Sequence, residues 1–118
     1  MIFESELKVL ELLWENGDTT AKELAAQLND TTGWSKTTSY TVIKKCVDKL
    51  LVKRLGSNFT CRALITKEEA QKQESELLAE KMFGGSSDLL IASLLGGSKM
   101  TSKQIDKLKS MVQEFNND

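Results

Sequence analysis

A chain of 118 residues, 40% of them hydrophobic and 28% charged, has room for one small core and an appendage, and its composition excludes fibrous and disordered classes. It contains no histidine, and its two cysteines stand 15 positions apart, so neither a Ser/His or Cys/His catalytic couple, nor a zinc site, nor a disulfide framework can be assembled. A net charge of −1 excludes a uniformly basic protein but conceals a strong local imbalance.

The first helix is read from Leu7, Leu10, Leu13 and Trp14, which recur at helical spacing and leave Glu6, Lys8, Glu11 and Glu15 outside. Asn16-Gly17-Asp18 ends it. Thr20-x-x-Glu23 is a capping box that opens a second helix to about Leu28, with Leu24, Ala25 and Leu28 on its buried side. After a turn-rich stretch from Asn29 to Gly33, Trp34 precedes Ser35, an N-cap, and a third helix is predicted from Lys36 to about Leu50 with Ile43, Val47 and Leu50 on one face. Hydroxyl side chains crowd its first two turns. That is poor helix-forming composition, but such groups at a helix N-terminus can hydrogen-bond phosphates and base edges. Val52 to Leu55, the turn Gly56-Ser57-Asn58 and the return from Phe59 to Ile65 then read as a two-stranded hairpin.

Thr66-x-x-Glu69 opens a fourth helix, which carries Leu77, Leu78, Met82 and Phe83 near its end, and Gly84-Gly85-Ser86-Ser87 breaks the chain. The segment from Asp88 to Leu95 is apolar almost all round, and Gly96-Gly97 follows. Thr101-x-x-Gln104 caps a last helix, whose stripe of Ile105, Leu108, Met111, Val112 and Phe115 opposes Lys103, Lys107 and Lys109. The three C-terminal helices are too short to enclose a core of their own, so a second copy is the expected cover, through Leu89, Leu90, Ile91, Leu94, Leu95, Ile105, Leu108, Met111 and Val112. Folding back onto the N-terminal part is the alternative. No apolar run approaches the roughly 20 residues needed to cross a bilayer, and the N-terminus lacks a basic leader, which predicts a cytoplasmic protein.

The charge imbalance lies between Thr31 and Ile65, where seven basic residues (Lys36, Lys44, Lys45, Lys49, Lys53, Arg54 and Arg62) face one acid, Asp48. On a helix and the hairpin after it, that excess suits the phosphates of a nucleic acid, with an ordinary solvated lysine face as the alternative. Three helices followed by a basic two-stranded ribbon is the order of a winged helix-turn-helix, whose third helix enters the major groove. The expected fold is therefore mainly α, with a winged helix-turn-helix DNA-binding domain over 1–66 and a helical dimerisation region over 67–118. Candidate contacts to double-stranded operator DNA are Ser35, Thr37, Thr38, Ser39, Tyr40 and Thr41 for groove and backbone, Lys36, Lys44 and Lys45 for phosphates, and Arg54, Ser57 and Asn58 in the wing. For the small polar residues, capping or plain solvent exposure is the competing reading. The competing function is a winged-helix module that docks a protein partner. No glycine-rich phosphate loop or close carboxylate pair is present, which argues against an enzyme with a small-molecule substrate, and no cofactor is expected. Cys46 on a helix and Cys61 on a strand are read as packing residues, with a redox thiol pair as the alternative.

The residues Glu6 to Trp14, the pair Trp34-Ser35, Thr38, Thr41, Ile43, the Lys45 to Lys49 interval and the Phe83-Gly84-Gly85 break give the chain, over nearly its whole length, a pattern that resembles the penicillinase-repressor family. That resemblance implies a homodimeric winged-helix repressor at operators of antibiotic-resistance or copper-homeostasis genes. After Trp34-Ser35 the family commonly has proline then lysine, where this chain has Lys36 and Thr37, and Tyr40 stands where arginine is usual. Lys45 keeps a positive charge at another common arginine, without the bidentate geometry. The copper-responsive branch carries Cys-x-Cys motifs near its C-terminus. This chain has none, so no metal is expected. The penicillinase branch implies a membrane sensor protease pathway that leads to cleavage of an Asn-Phe bond in the apolar C-terminal helix. The corresponding place here holds Ser93-Leu94, and the Asn58-Phe59 pair falls in the predicted wing.

Overall fold

The structure is a computed structural model that describes residues 1–96 and 101–116. Its elements are α1 (Glu4–Asn16), β1 (Thr19–Thr20), α2 (Ala21–Thr32), α3 (Lys36–Asp48), β2 (Val52–Leu55), β3 (Thr60–Ala63), α4 (Lys67–Phe83), α5 (Ser87–Gly96) and α6 (Ser102–Asn116). They make a mainly helical protein with a small antiparallel sheet, a winged helix followed by a helical C-terminal region. The chain separates into two compact units, Met1–Glu74 and Ser75–Asp118.

In the first unit Val9, Leu10 and Leu13 from α1, Leu24 and Leu28 from α2, and Val42, Ile43 and Cys46 from α3 pack with Val52, Cys61 and Ile65 around one core, which also takes in Ala70 of α4. Burial of those aliphatic side chains, at about 1.5–3 kcal/mol each, is the main force holding the three helices to the sheet. The hydroxyl caps form where the spacing places them, but among the described residues neither Glu23 nor Glu69 returns the carboxylate bond that would complete a capping box. The amides of Glu23, Thr38 and Glu69 donate to the hydroxyls of Thr20, Ser35 and Thr66 at 3.2, 3.2 and 3.1 Å. Between Thr101 and Gln104 the bonds are reciprocal. Gly33, with φ of 78° and ψ of 7°, closes α2 in the left-handed conformation that glycine adopts without steric cost, which leaves only Trp34 and Ser35 before α3 begins. The indole N–H of Trp14 donates to the carbonyl of Ile65 at 2.9 Å and ties α1 to the link between β3 and α4.

Five expectations are corrected. Helix α2 continues to Thr32, so most of the stretch read as turns, from Asn29 on, is helical and only Gly33 turns the chain. Glu6 is buried rather than outside, because α1 turns Glu6, Val9, Leu10 and Leu13 inward and leaves Leu7 and Trp14 half-buried. The sheet has three strands in the order β1-β3-β2, since Thr19 and Thr20 pair with Cys61 and Thr60. A two-residue strand carries no alternation for a pattern to reveal. The wing's return strand starts at Thr60 and ends at Ala63, because Phe59, with φ of 50°, belongs to the turn. Finally, α3 ends at Asp48. Its inward face is Ser39, Val42, Ile43 and Cys46, Val47 is half-buried, and Leu50 is 75% exposed.

Leu50 ends α3 in an unusual way. The amide of Leu51 donates to Cys46 and that of Leu50 to Val47, the paired bonds of a Schellman cap, with Leu50 at the left-handed position, φ 61°. Leucine is strained there, and being exposed it gains little from packing. Leu50→Gly is therefore expected to stabilise the protein by about 0.5–1 kcal/mol, after allowance for the extra unfolded-chain entropy of glycine. An unchanged or lower urea midpoint would refute the strain argument.

Both cysteines are free and buried. Burial pushes the Cys46 thiol up to about 12 and raises that of Cys61 as well, so both are protonated at neutral pH and serve packing.

In the second unit, Gly84 and Gly85, both at positive φ, end α4, and the Ser86 hydroxyl accepts from the Leu89 amide at the start of α5. Helix α5 has no buried residue. Leu89 and Leu94 are more than half exposed, Leu90, Ile91 and Leu95 are half-buried, and Ile91, Leu95 and Leu108 line a cavity of about 290 Å³. On α6, Ile105 and Leu108 are half-buried and Met111 is exposed. Gly97 and the side chains of Val112 and Phe115, named in the sequence reading, lie outside the described residues.

Candidate nucleic-acid interface

Once Ser39, Val42, Ile43 and Cys46 face the core, helical spacing leaves Lys36, Thr37, Thr38, Thr41, Lys44, Lys45 and Asp48 exposed, with Tyr40 half-buried at their margin. The Lys36 ammonium lies 5.8 Å from the Tyr40 ring centroid. Thr41 donates its hydroxyl to the carbonyl of Thr37 at 2.9 Å, and Ser35 donates to the Thr38 hydroxyl at 3.1 Å. These bonds pre-orient the hydroxyls without using all their acceptor capacity. No acidic residue occupies the first turn of α3, so its unpaired amides keep a positive end open to an anion.

The wing approaches this helix from the side. Tyr40, Ile43 and Lys44 of α3 share an open concavity of about 390 Å³ with Arg54, Asn58 and Phe59 of the wing and with Ala21 and Lys22 at the start of α2. The amide of Ala21 donates to the carbonyl of Phe59 at 3.0 Å, which anchors the wing tip to α2, and the Arg54 guanidinium sits 5.5 Å from the Phe59 ring. Ser57 and Asn58 are exposed at the tip, and Lys45 is exposed on α3 outside the concavity. Lys22 is the member that the sequence reading missed. It stands in an acidic stretch of sequence, and only the Ala21–Phe59 junction brings it to the wing.

Three of the expected residues behave differently. Ser39 is fully buried, and its hydroxyl is unpaired among the described residues, so it leaves the candidate contact surface for the core. Lys49, counted in the basic segment, points at α1: its ammonium donates to Glu6 Oε1 at 2.6 Å and to the carbonyl of Met1 at 2.7 Å, and it lies 4.4 Å from the Phe3 ring. Burial alone would raise the Glu6 carboxyl, but the Lys49 hydrogen bond and the 2.8 Å bond from the Phe3 amide outweigh it and hold Glu6 below its ordinary value. Arg62 grips Asp18 with Nε and Nη2, the latter at 2.7 Å, which ties β3 to the α1–β1 turn and holds Asp18 low. Lys44 also lies 3.6 Å from Asp48, but both are well exposed, and such a pair competes weakly with a phosphate. The cationic surface therefore rests on Lys36, Lys44, Lys45, Arg54 and Lys22, with Lys53 exposed on edge strand β2.

Among the described residues no helix is long and apolar enough to cross a membrane. No curated protein matches the chain. A family model described as penicillinase repressor does match it, over residues 2–114, which span both the winged helix and the helical region behind it. That family is one of transcriptional regulators and not of enzymes. An exposed hydroxyl-bearing helix, a cationic wing beside it and this match lead to one assignment: the chain belongs to the penicillinase repressor family of DNA-binding transcriptional repressors.

Proposed function

We propose that the protein is a homodimeric repressor of β-lactam resistance genes that occupies a palindromic operator, with α3 in the major groove and the β2–β3 wing on the flanking backbone. Residues 1–66 serve as the reading head and 67–118 as the dimerisation region. The observation that supports this reading is the concavity in which Tyr40 and Lys44, from the middle of α3, meet Arg54 and Asn58 of the wing and Lys22 of α2. Lys22, Lys36, Lys44, Lys45 and Arg54 hold phosphates, whereas Ser35, Thr37, Thr38, Tyr40 and Thr41 meet base edges and backbone, with Ser57 and Asn58 at the wing tip. Leu89, Leu94 and Met111 are each more than half exposed, and a second copy of the chain would cover them. A membrane sensor protease pathway acting at Ser93-Leu94, both exposed on α5, would release the operator by separating the two heads. The mechanism needs no cofactor.

A gel-shift titration against DNA upstream of the protein's own gene tests this directly. A discrete complex that persists in excess random DNA is expected, and equal affinity for both DNAs would refute operator recognition. Lys44→Ala should weaken binding to both DNAs and reduce the slope of log K against log salt by about one. An unchanged slope would remove Lys44 from the phosphate contacts.

A further inference from the structure

A concavity of about 930 Å³ lies between α1 and the first two turns of α4, and the proposed repressor function makes no use of it. Its lining includes the apolar side chains of Ile2, Leu7, Trp14 and Ala70. Trp14 is held rigidly, since its indole N–H is already committed to Ile65, and it presents a fixed ring to the groove. Carboxylates stand along the rim: Glu4, Glu11 and Glu15 from α1 and Glu74 from α4, against Lys67 as the one cation in the lining. Glu4, Glu11 and Glu15 form no ion pair among the described residues, while Glu74 accepts the Ile2 amide at 2.6 Å.

We propose that this groove binds a linear aliphatic dication, an alkyl chain with a positive group at each end. At 1.5 Å per residue, the carboxylates on α1 spread over roughly 10 Å from Glu4 to Glu11 and about 16 Å to Glu15. Leu7 and Ala70 lie between Glu4 and Glu74 at one end and Glu11 and Glu15 at the other, where Lys67 offsets one of the two charges, so each end keeps a carboxylate for an ammonium group at the end of an alkyl spacer. The Trp14 face beside Glu11 and Glu15 suits the head at that end through cation–π attraction, and Leu7 and Ala70 receive the methylene chain. An aromatic monocation would leave one end of the rim unanswered, and a neutral chain would leave both.

Calorimetry of the full chain with decamethonium, whose extended chain matches this span, tests the proposal against decyltrimethylammonium and 1,10-decanediol. Decamethonium is expected to bind tightest, the monocation several-fold more weakly, and the diol not measurably. Each of Glu4→Gln and Glu15→Gln should weaken decamethonium by about two- to fivefold and the pair by about tenfold, while leaving the monocation less affected, since each exposed pair adds modestly. These exposed, isosteric changes leave the core intact, and circular dichroism checks that they do. Loss of the Trp14 indole N–H shift perturbation in Leu7→Lys, whose ammonium repels a dication, would place the ligand in the groove. Equal binding of dication and diol, indifference to both glutamine changes, or an unmoved Trp14 resonance would each overturn the assignment. None of these readouts involves DNA, so they stand or fall apart from operator binding.

Discussion

A fragment ending at Glu74 is expected to fold, to remain monomeric and to bind operator DNA at least about 100-fold more weakly than the full chain. The cut follows the packing. Ala70 belongs to the core of the first unit and the Glu74 carboxylate accepts the Ile2 amide, so a fragment stopped at Ile65 would lose both and be less stable. The loss of affinity has another source. In the proposed dimer, a head already bound confines its partner near the second half-site, and separating them forfeits that effective concentration without altering a single DNA contact. Sedimentation of both proteins and gel-shift titrations at one fixed salt concentration would check it. A fragment that matches the full chain in affinity would refute the requirement for two joined heads, and a dimeric fragment would move the dimer interface out of residues 75–118.

Lys49→Ala should be the most damaging substitution in the cationic segment, and for a reason unrelated to DNA. Glu6 is 1% exposed and holds its charge through Lys49 and the Phe3 amide, so removing the lysine strands a buried carboxylate. Breaking one partner of a buried pair costs about 3–5 kcal/mol, and the partial exposure of Lys49 places the expected loss at the lower end. Because Glu6 is held below its ordinary 4.5, the pair's contribution is complete above that pH and is lost as pH falls through the depressed value of the folded state. The gap between parent and Lys49→Ala in urea denaturation should accordingly be widest near neutrality and close in acid. The double variant Glu6→Gln with Lys49→Met removes the pair symmetrically and should recover most of the stability. A single variant within about 1 kcal/mol of the parent at pH 7 would show that the pair is not a structural tie.

The same pair shows why charge counted along a chain is not charge presented on a surface. Lys49 and Arg62 belong to the basic segment by position, yet each is turned to an acid, Glu6 or Asp18, more than forty residues away. Lys22, from the acidic N-terminal third, replaces them beside the wing.

Local chemistry was legible in the residues alone. Hydroxyl caps at Thr20, Ser35, Thr66 and Thr101 donate or accept within one turn, and apolar spacing is a property of a single helix, so the order of three helices, wing and helical tail could be read directly. The resemblance at Trp34-Ser35 carried the family in the same way. Tertiary packing alone decided which face of each helix turned inward. Ser39 was assigned to the core and Leu50 to solvent because the buried face of α3 lies about 60° around the helix from the face of Ile43, Val47 and Leu50, and a half-apolar helix has several near-equal faces until its neighbours are in place. The burial of Glu6 and the third strand depend on partners distant in sequence, whose pairing exists only once the chain has folded.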